Sequence, residues 1–264
     1  MVLEGWIDAG GYPVVLLHKS YVLNETTYTK HTLEEVIEEQ LIMWGKVTVS
    51  DGENEIILTG RMDTMYMPPY TYSTLNMQGE VGKTYTVTAT YKNMSATATT
   101  TIPPIATLDS LRVYTDEHGN RHALAYIHRE GHDKAHFALF LKYQGDKQFM
   151  LCPLGVTDDS GTQDEPLEMM VYNPLANDST KLFDLLPNFG NDTTHTYQLK
   201  LARLDDESYR FWDSYATLNS TKGIAFVPVY ENIHGNVQGG IGHFSGFGST
   251  IYTFTTSRDT TYRY

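Results

Sequence analysis

Short runs of alternating apolar and polar residues fill the first hundred or so positions of the chain. They are rich in Val, Thr and Tyr, which fit a pleated, half-buried surface, and turn signals such as Asp51-Gly52 separate them. This punctuation is typical of an antiparallel sandwich. Tyr85 stands where sandwich domains often place a corner tyrosine, so we expect its hydroxyl to cap a backbone group. The predicted strands are VLEGWIDA, YPVVLLHK, KVTVSD, EIILTG, TYTVTATYK and SATATTTI.

One segment in this part of the chain has helical periodicity instead. In HTLEEVIEEQLIMW, residues 31–44, Thr32 and Glu35 form a capping box, and apolar residues roughly follow one helical stripe. The pattern predicts a short surface helix or an ordered loop.

The best domain boundary is the proline pair Pro103-Pro104, because prolines stiffen a linker and cannot donate to a sheet ladder. The chain is therefore predicted to be mainly β, with an N-terminal Ig-like antiparallel β-sandwich over residues 1–104. Residues 105–264 are predicted to form a second antiparallel domain, either a sandwich or a barrel.

The second half alternates again, and the pattern predicts a meander of four strands within residues 110–152 and later strands at HTYQLKLARL and STIYTFTTS. One short helix is predicted near residues 206–217, since its aromatic residues recur at helical spacing and Asp205 or Asp206 can cap it.

A glycine-rich segment, GNVQGGIGHFSGFGST (235–250), resembles a nucleotide-binding loop in its glycine content. A phosphate loop needs a helix directly behind it, whereas a strand pattern follows here. A serine elbow needs a glycine two residues before Ser245, where His243 stands. The glycines are thus predicted to allow close backbone approach or to bend a strand, in a turn that leads into the last strand.

Three histidines, His128, His132 and His136, recur at steps of four in HREGHDKAH. On a helix they would share a face and could hold a metal ion. Gly131 and the flanking strand patterns instead favour a hairpin, in which His128 and His136 could face each other. Two interpretations follow, a metal site at these three residues and a hydrated hairpin tip, and the second is favoured.

The acidic stretch at residues 158–165 lacks the ligand order of a helix–loop–helix calcium site and is predicted to be a solvated loop.

The segment RMDTMYMPPYTYSTLNM, residues 61–77, is dense in methionine and tyrosine. If its prolines hold it open, these side chains cannot all face a core, and flexible apolar side chains suit a contact surface. Core packing is the equal alternative. The residues predicted to contact a ligand or partner are Met65, Tyr66, Met67, Tyr70 and Tyr72.

Composition narrows the function classes. The formal net charge of −13 disfavours nucleic acid and anionic lipid as partners. The single cysteine, Cys152, excludes an intramolecular disulfide and a cysteine-based zinc site. No apolar run approaches the about 18 residues of a spanning helix. No catalytic motif emerges, so the sequence predicts a protein without enzymatic activity and without a cofactor.

Several segments in matching order resemble the DUF4249 proteins, a Bacteroidetes family of unknown function. The resemblance implies an exported lipoprotein at the outer membrane, surface-exposed, encoded beside a TonB-dependent receptor. The family's lipobox cysteine is absent from this chain, so the lipid anchor is expected from the resemblance alone, with the signal and lipobox trimmed. The segments are VLEGWIDAGGYPVVLLHKSY, WGKVTVSDGENEIILTGRMD, YTYSTLNMQGEVGKTYTVTATY, LDSLRV, LKLARLDDESYRFWDSY and NVQGGIGHFSGFGS.

The leading functional hypothesis is a cell-envelope protein that binds an unknown small ligand, a TonB-dependent outer-membrane receptor, or both. The alternatives are a structural or adhesive Ig-like surface protein and a metal-dependent hydrolase that uses the hairpin histidines.

Overall fold

The described part of the chain is mainly β with one helix, and none of its sheets closes into a barrel. The predicted fold class is therefore confirmed, and the described strands of the second domain form open sheets rather than a barrel. Within this part of the chain, no helix is both long and apolar enough to cross a membrane. The computed structural model describes residues 1–20, 40–129, 134–159, 166–176, 188–190, 194–221 and 233–264.

The chain folds into two compact units. The first comprises Met1–Ile102 and Gly235–Phe247, and the second comprises Pro103–His234 and Gly248–Tyr264. The main division thus falls next to the proline pair. The proline pair predicted that every residue after 104 belongs to the second domain, whereas residues 235–247 complete the first unit.

The first unit contains two sheets, each with one face on a shared core. One sheet has the order β4-β3-β7-β8 and is antiparallel throughout. The other places β1, β2, β6 and β5 side by side, with β5 at its edge. The strands are β1 (Val2–Asp8), β2 (Val14–His18), β3 (Lys46–Ser50), β4 (Glu55–Ile57), β5 (Thr59–Met62), β6 (Tyr70–Ser73), β7 (Thr84–Tyr91) and β8 (Met94–Thr101).

The second unit also contains two sheets. One has the order β13-β10-β9-β16, and in the other β12, β11 and β14 are followed by β15. The residues of β15 up to Phe247 belong to the first unit and those from Gly248 to the second. The elements are β9 (Leu108–Thr115), β10 (Arg121–Ile127), β11 (Ala135–Tyr143), β12 (Met150–Asp159), β13 (Leu167–Val171), β14 (Thr196–Leu204), α1 (Asp206–Thr221), β15 (Ile241–Thr255) and β16 (Thr260–Arg263).

Strict alternation builds the β7–β8 ladder of the first unit. Tyr85, Val87 and Ala89 point into the core and are fully or almost fully buried. The threonines between them face outward, where Thr84 and Thr101 pair their hydroxyls at 2.8 Å across the strands. Cross-strand pairs of this kind stabilise a sheet.

Tyr85 caps the backbone as predicted. Its hydroxyl donates to the carbonyl of Gln78 at 3.1 Å and accepts the N–H of Glu80 at 2.8 Å. Burial raises the pKa of this phenol, so the hydroxyl keeps the proton that it donates.

The helix α1 lies against β11, β12 and β14 of the second unit. Asp205 is its N-cap, since the carboxylate accepts the N–H of Ser208 at 2.8 Å. Trp212 packs edge-on against Phe140 of β11, with ring centroids 4.9 Å apart. β11 is consequently buried on both faces, and Leu139 and Leu141 on its other face join the core of the unit.

The glycine-rich segment is part of a strand rather than a turn before one. β15 runs through it, and Ile241–Phe247 pair in parallel with β1. A Cβ on Gly242, whose φ is +118°, would lie 1.9 Å from the carbonyl oxygen of Leu3. Close backbone approach, one of the two predicted roles, is therefore confirmed.

Three of the described strands, β6, β13 and β16, were not predicted from the sequence pattern. The predicted helix at 31–44 lies mostly outside the described residues, which resume at Gln40. Leu41 and Ile42 at its end are buried.

Candidate functional site

The last residue of β5 and the loop that leads to β6, together residues 62–69, carry the most concentrated run of exposed methionines in the described chain. We call this segment the methionine loop. Backbone hydrogen bonds shape it: Asp63 N–H donates to the Pro69 carbonyl at 3.0 Å, and Tyr66 N–H donates to the Asp63 carbonyl at 3.1 Å. The Asp63 carboxylate also accepts the N–H of Met65 at 3.2 Å. The loop therefore has a defined closed conformation.

The methionine loop reaches back over its own sheet. Tyr66 contacts Trp6 of β1, with ring centroids 6.0 Å apart and planes tilted by 43°, although β2 and β6 lie between β1 and β5. On the same face Leu16 and Thr71 are buried, even though they point away from the core. The contact anchors the loop, and burial raises the pKa of the Tyr66 phenol.

The predicted contact residues separate into two groups. Met65 and Met67 are exposed, as is the neighbouring Met62, and Tyr66 is half-buried. Tyr72 instead belongs to the core, where its hydroxyl donates to the Ile42 carbonyl at 2.6 Å.

Tyr70 is half-buried and packs edge-on against Tyr72, with ring centroids 5.4 Å apart. It also covers Gly60, where a Cβ would lie 2.5 Å from the Tyr70 hydroxyl. The structure thus corrects the predicted set: Tyr72 leaves it as a core residue, Tyr70 supports the core, and the exposed surface consists of methionines.

The predicted histidine hairpin is wrong. β10 pairs with β9 and β13, whereas β11 pairs with β12 and β14 in a different sheet. His128, just after β10, has its Nδ1 2.9 Å from the carboxylate of Asp109. Period-two alternation identified both strands, but it does not tell which sheet a strand joins.

The imidazole of His136 lies among side chains from β12 and α1; with Asp158, Asp206 and Tyr209 it forms what we call the His136 cluster. Its Nε2 is 3.1 Å from Asp206 and its Nδ1 is 3.3 Å from Asp158. Tyr209 stacks on the ring at 4.0 Å with an interplanar angle of 11°. The histidine is buried. Because its partners lie on β12 and α1, the cluster connects the helix to the sheet.

His132 lies outside the described residues, so the three-histidine metal site stays a prediction. Among the residues described, no group of three or more His, Cys, Asp and Glu side chains is placed to hold a metal ion.

Of the predicted acidic loop, residues 160–165 lie outside the described residues. Asp158 and Asp159 end β12, where Asp159 pairs with Arg129 at 2.8 Å and Asp158 with Lys134 at 3.2 Å.

A further histidine helps to shape the β9–β10 turn. His122 Nε2 lies 2.9 Å from the carboxylate of Asp116, which also accepts the N–H groups of His118 and Asn120 at 2.9 and 2.8 Å. These hydrogen bonds, that to His122 above all, hold the pKa of Asp116 far below its usual range.

The His243–Ser245 pair of the glycine-rich segment is deeply buried. The imidazole Nε2 contacts the Ser245 hydroxyl, and the residues are 3% and 0% exposed. Desolvation lowers the pKa of His243 to about 3, which keeps the imidazole neutral at ordinary pH. The strand continues past Gly248 to Thr255, so no helix N-terminus follows the glycines.

The fold defines a protein of two β-sandwich units, one of which displays the methionine loop. A family model described as a domain of unknown function, DUF4249, matches residues 1–253. The chain belongs to this family. A search of curated proteins gives no match.

Proposed function

We propose that the chain is a non-enzymatic protein of the cell envelope that binds a partner through the methionine loop. The observation that carries the proposal is the exposure of three methionines on a loop whose backbone is fixed by its own hydrogen bonds. Methionine side chains are normally buried, and clustered exposed apolar side chains mark interaction surfaces.

The chemistry of the loop suits protein recognition. Methionine is unbranched and polarisable, so it adapts to an apolar partner surface. The closure between Asp63 and Pro69 and the contact between Tyr66 and Trp6 hold the loop in place. Preorganisation of this kind lowers the entropic cost of binding.

The engagement of the histidines supports the non-enzymatic part of the proposal. His128 and His136 contact carboxylates of their own unit, and burial keeps His243 neutral. Each of these interactions has a structural role that requires no substrate.

For the partner we propose a TonB-dependent outer-membrane receptor, with the chain as an accessory to nutrient uptake. The support is membership in the DUF4249 family together with the receptor association that the sequence resemblance implies.

The test is capture from detergent-solubilised outer membranes of the source bacterium, with proteins identified by mass spectrometry. We expect the wild-type chain to enrich a TonB-dependent receptor and the Met65→Ser/Met67→Ser variant to lose it. Met150→Ser is the matched control, because Met150 is similarly exposed but lies on β12. Equal capture by all three proteins, or no receptor above the bare-resin background, would contradict the proposal.

A further inference from the structure

The outer face of the β13-β10-β9-β16 sheet carries two exposed arginines in a chain whose net charge is −13. Core-facing side chains of β9 such as Leu111 are fully buried, so the residues that alternate with them point outward. Arg112 of β9 lies opposite Thr261 of β16, and Ser110 lies opposite Arg263. The two arginines are therefore diagonal neighbours on one face, and such neighbours are about 7–8 Å apart in an antiparallel pair.

Hydroxyl groups complete this surface. Tyr126 of β10 lies opposite Ser110, on the other side of β9 from Arg263. We call the five residues Arg112, Ser110, Thr261, Arg263 and Tyr126 the arginine face. Guanidinium and hydroxyl groups all donate hydrogen bonds to anions, and a guanidinium fits a carboxylate through two parallel N–H bonds. We propose that the arginine face binds an acidic polypeptide segment in an extended conformation, with one carboxylate on each arginine.

Aromatic stacking orients the first of the two arginines. The guanidinium of Arg112 lies over the ring of Tyr114, 5.3 Å from its centroid. Tyr114 stacks in turn on His122, with centroids 5.3 Å apart and an interplanar angle of 24°, and the imidazole lies 2.9 Å from the carboxylate of Asp116. A stacked guanidinium keeps the N–H donors at its edge available to a carboxylate. Because Arg112 is ordered in advance, binding costs less side-chain entropy.

The carboxylates close to the arginine face have other partners. Asp259 is near enough to Arg112 for electrostatic attraction, but its carboxylate accepts the Thr115 hydroxyl at 2.6 Å. Asp109 lies 2.9 Å from Nδ1 of His128. Within the part of the chain that the structure describes, neither arginine of the face forms a salt bridge. Both guanidinium groups can therefore take a carboxylate from outside the chain.

The shape of the surface and the spacing of the arginines favour an extended polypeptide. Sites for small molecules are concave, whereas the arginine face is the open side of a sheet. In an extended chain, residues i and i+2 point to the same side about 6.5 Å apart, which is close to the diagonal separation of the arginines. Glu168 lies on β13, at the opposite edge of the sheet, so the positive surface is confined to the β9–β16 side.

The test is an NMR titration of the whole ¹⁵N-labelled chain with the blocked peptide acetyl-TTETETT-amide, whose two glutamates alternate. We expect saturable shifts of the Nε–Hε resonances of Arg112 and Arg263, and weaker binding as NaCl is added, because salt screens exposed charges. The peptide acetyl-TTQTQTT-amide should cause no shift at these groups. Absence of shifts with the glutamate peptide, or equal shifts with the glutamine peptide, would overturn the inference.

A rearranged peptide tests the extended conformation. In acetyl-TTEETTT-amide the charge is the same, but adjacent side chains of an extended chain point to opposite sides. We expect its dissociation constant to be several times larger than that of the alternating peptide. Equal affinity for the two peptides would contradict the proposed geometry.

Variants of the arginine face separate local recognition from general charge attraction. Arg112→Gln/Arg263→Gln should raise the dissociation constant of acetyl-TTETETT-amide about tenfold or more, because both charge-assisted contacts are lost. Lys46→Gln/Arg258→Gln is the matched control, since it removes the same charge from exposed residues outside the face. Equal weakening in both double variants would show that the net charge, rather than the arginine face, attracts the peptide.

An acidic polysaccharide provides the last comparison. Polygalacturonate carries carboxylates on sugar rings, and we expect it to bind less tightly than the peptide at equal carboxylate concentration. Equally tight binding would overturn the assignment to a polypeptide. The arginine face belongs to the second unit and the methionine loop to the first, so Met65→Ser/Met67→Ser should leave peptide binding unchanged, and the inference does not depend on the proposed function.

Discussion

The methionine loop and the His136 cluster differ in the solvent exposure of their side chains. The loop leaves apolar thioethers in solvent on a fixed backbone, whereas the cluster takes an imidazole out of solvent and surrounds it with two carboxylates and an aromatic ring. Both regions contain residues that the sequence marked as candidate site residues, namely the methionines of the loop and His136. Burial distinguishes them, because a buried polar group with partners stabilises a fold, while exposed apolar groups remain available for binding.

The largest effect is expected at His243, a buried histidine whose imidazole contacts the Ser245 hydroxyl. Its pKa falls from an ordinary 6.5 to about 3 in the folded protein, so the unfolded chain binds the proton more readily. The stabilising contribution is complete above pH 6.5 and is lost as the pH falls towards 3. We expect this group alone to lower the free energy of unfolding by about 4–5 kcal/mol across that window.

The measurement is urea unfolding as a function of pH for the wild type and for His243→Gln. Carboxylates titrate in both proteins, so the difference between the two curves isolates the histidine. If the curves run parallel from pH 6.5 to 3, His243 does not carry the burial cost that the structure assigns to it.

A smaller difference in the free energy of unfolding should distinguish His136 from His128, two histidines of the predicted metal site. We expect His136→Gln to lower the free energy of unfolding by about 1–3 kcal/mol, because it disrupts a buried contact between β11, β12 and α1. His128→Gln is the matched control, since its pair with Asp109 is almost half exposed on both sides and should contribute less than about 1 kcal/mol. Urea unfolding of both variants at pH 7 is the check, and equal losses would place His136 outside the structural role described.

The smallest effect is expected in the methionine loop. Met65→Ser/Met67→Ser should change the free energy of unfolding by less than about 0.5 kcal/mol, because the side chains lie in solvent. Urea unfolding measures this directly. A loss of several kcal/mol would show that the loop packs as part of the core, and the difference between the two regions would disappear.

Local sequence patterns predicted much of the fold. Alternation predicted β7 and β8 within a residue or two, and the spacing of Asp205 and the aromatic residues after it predicted α1 with its cap. The corner role of Tyr85 followed from its place at the start of β7. In each case the deciding interactions are close in sequence.

The prediction errors arose where contacts between residues distant in sequence determine the structure. The prolines at 68 and 69 left open whether their segment packs in the core or stands open, and β6 directly behind them was not predicted. Tyr72 and Met67 are both apolar, so composition alone could not separate a core residue from an exposed one. The pairing of β10 and β11 with different partners likewise depends on tertiary packing that no local period encodes.

The parallel pairing of β15 with β1 has a consequence for biosynthesis. Residues 235–247 complete the unit that contains residues 1–102, so a ribosome has to synthesise the intervening second unit before that sandwich can close. Contacts between such distant positions slow folding. Until residues 241–247 are synthesised, the edge of β1 that pairs with β15 lacks its hydrogen-bonding partner. A gene truncated at the proline pair would encode a sandwich lacking one of its strands, so excising this domain for expression calls for a graft of the late segment onto the early one.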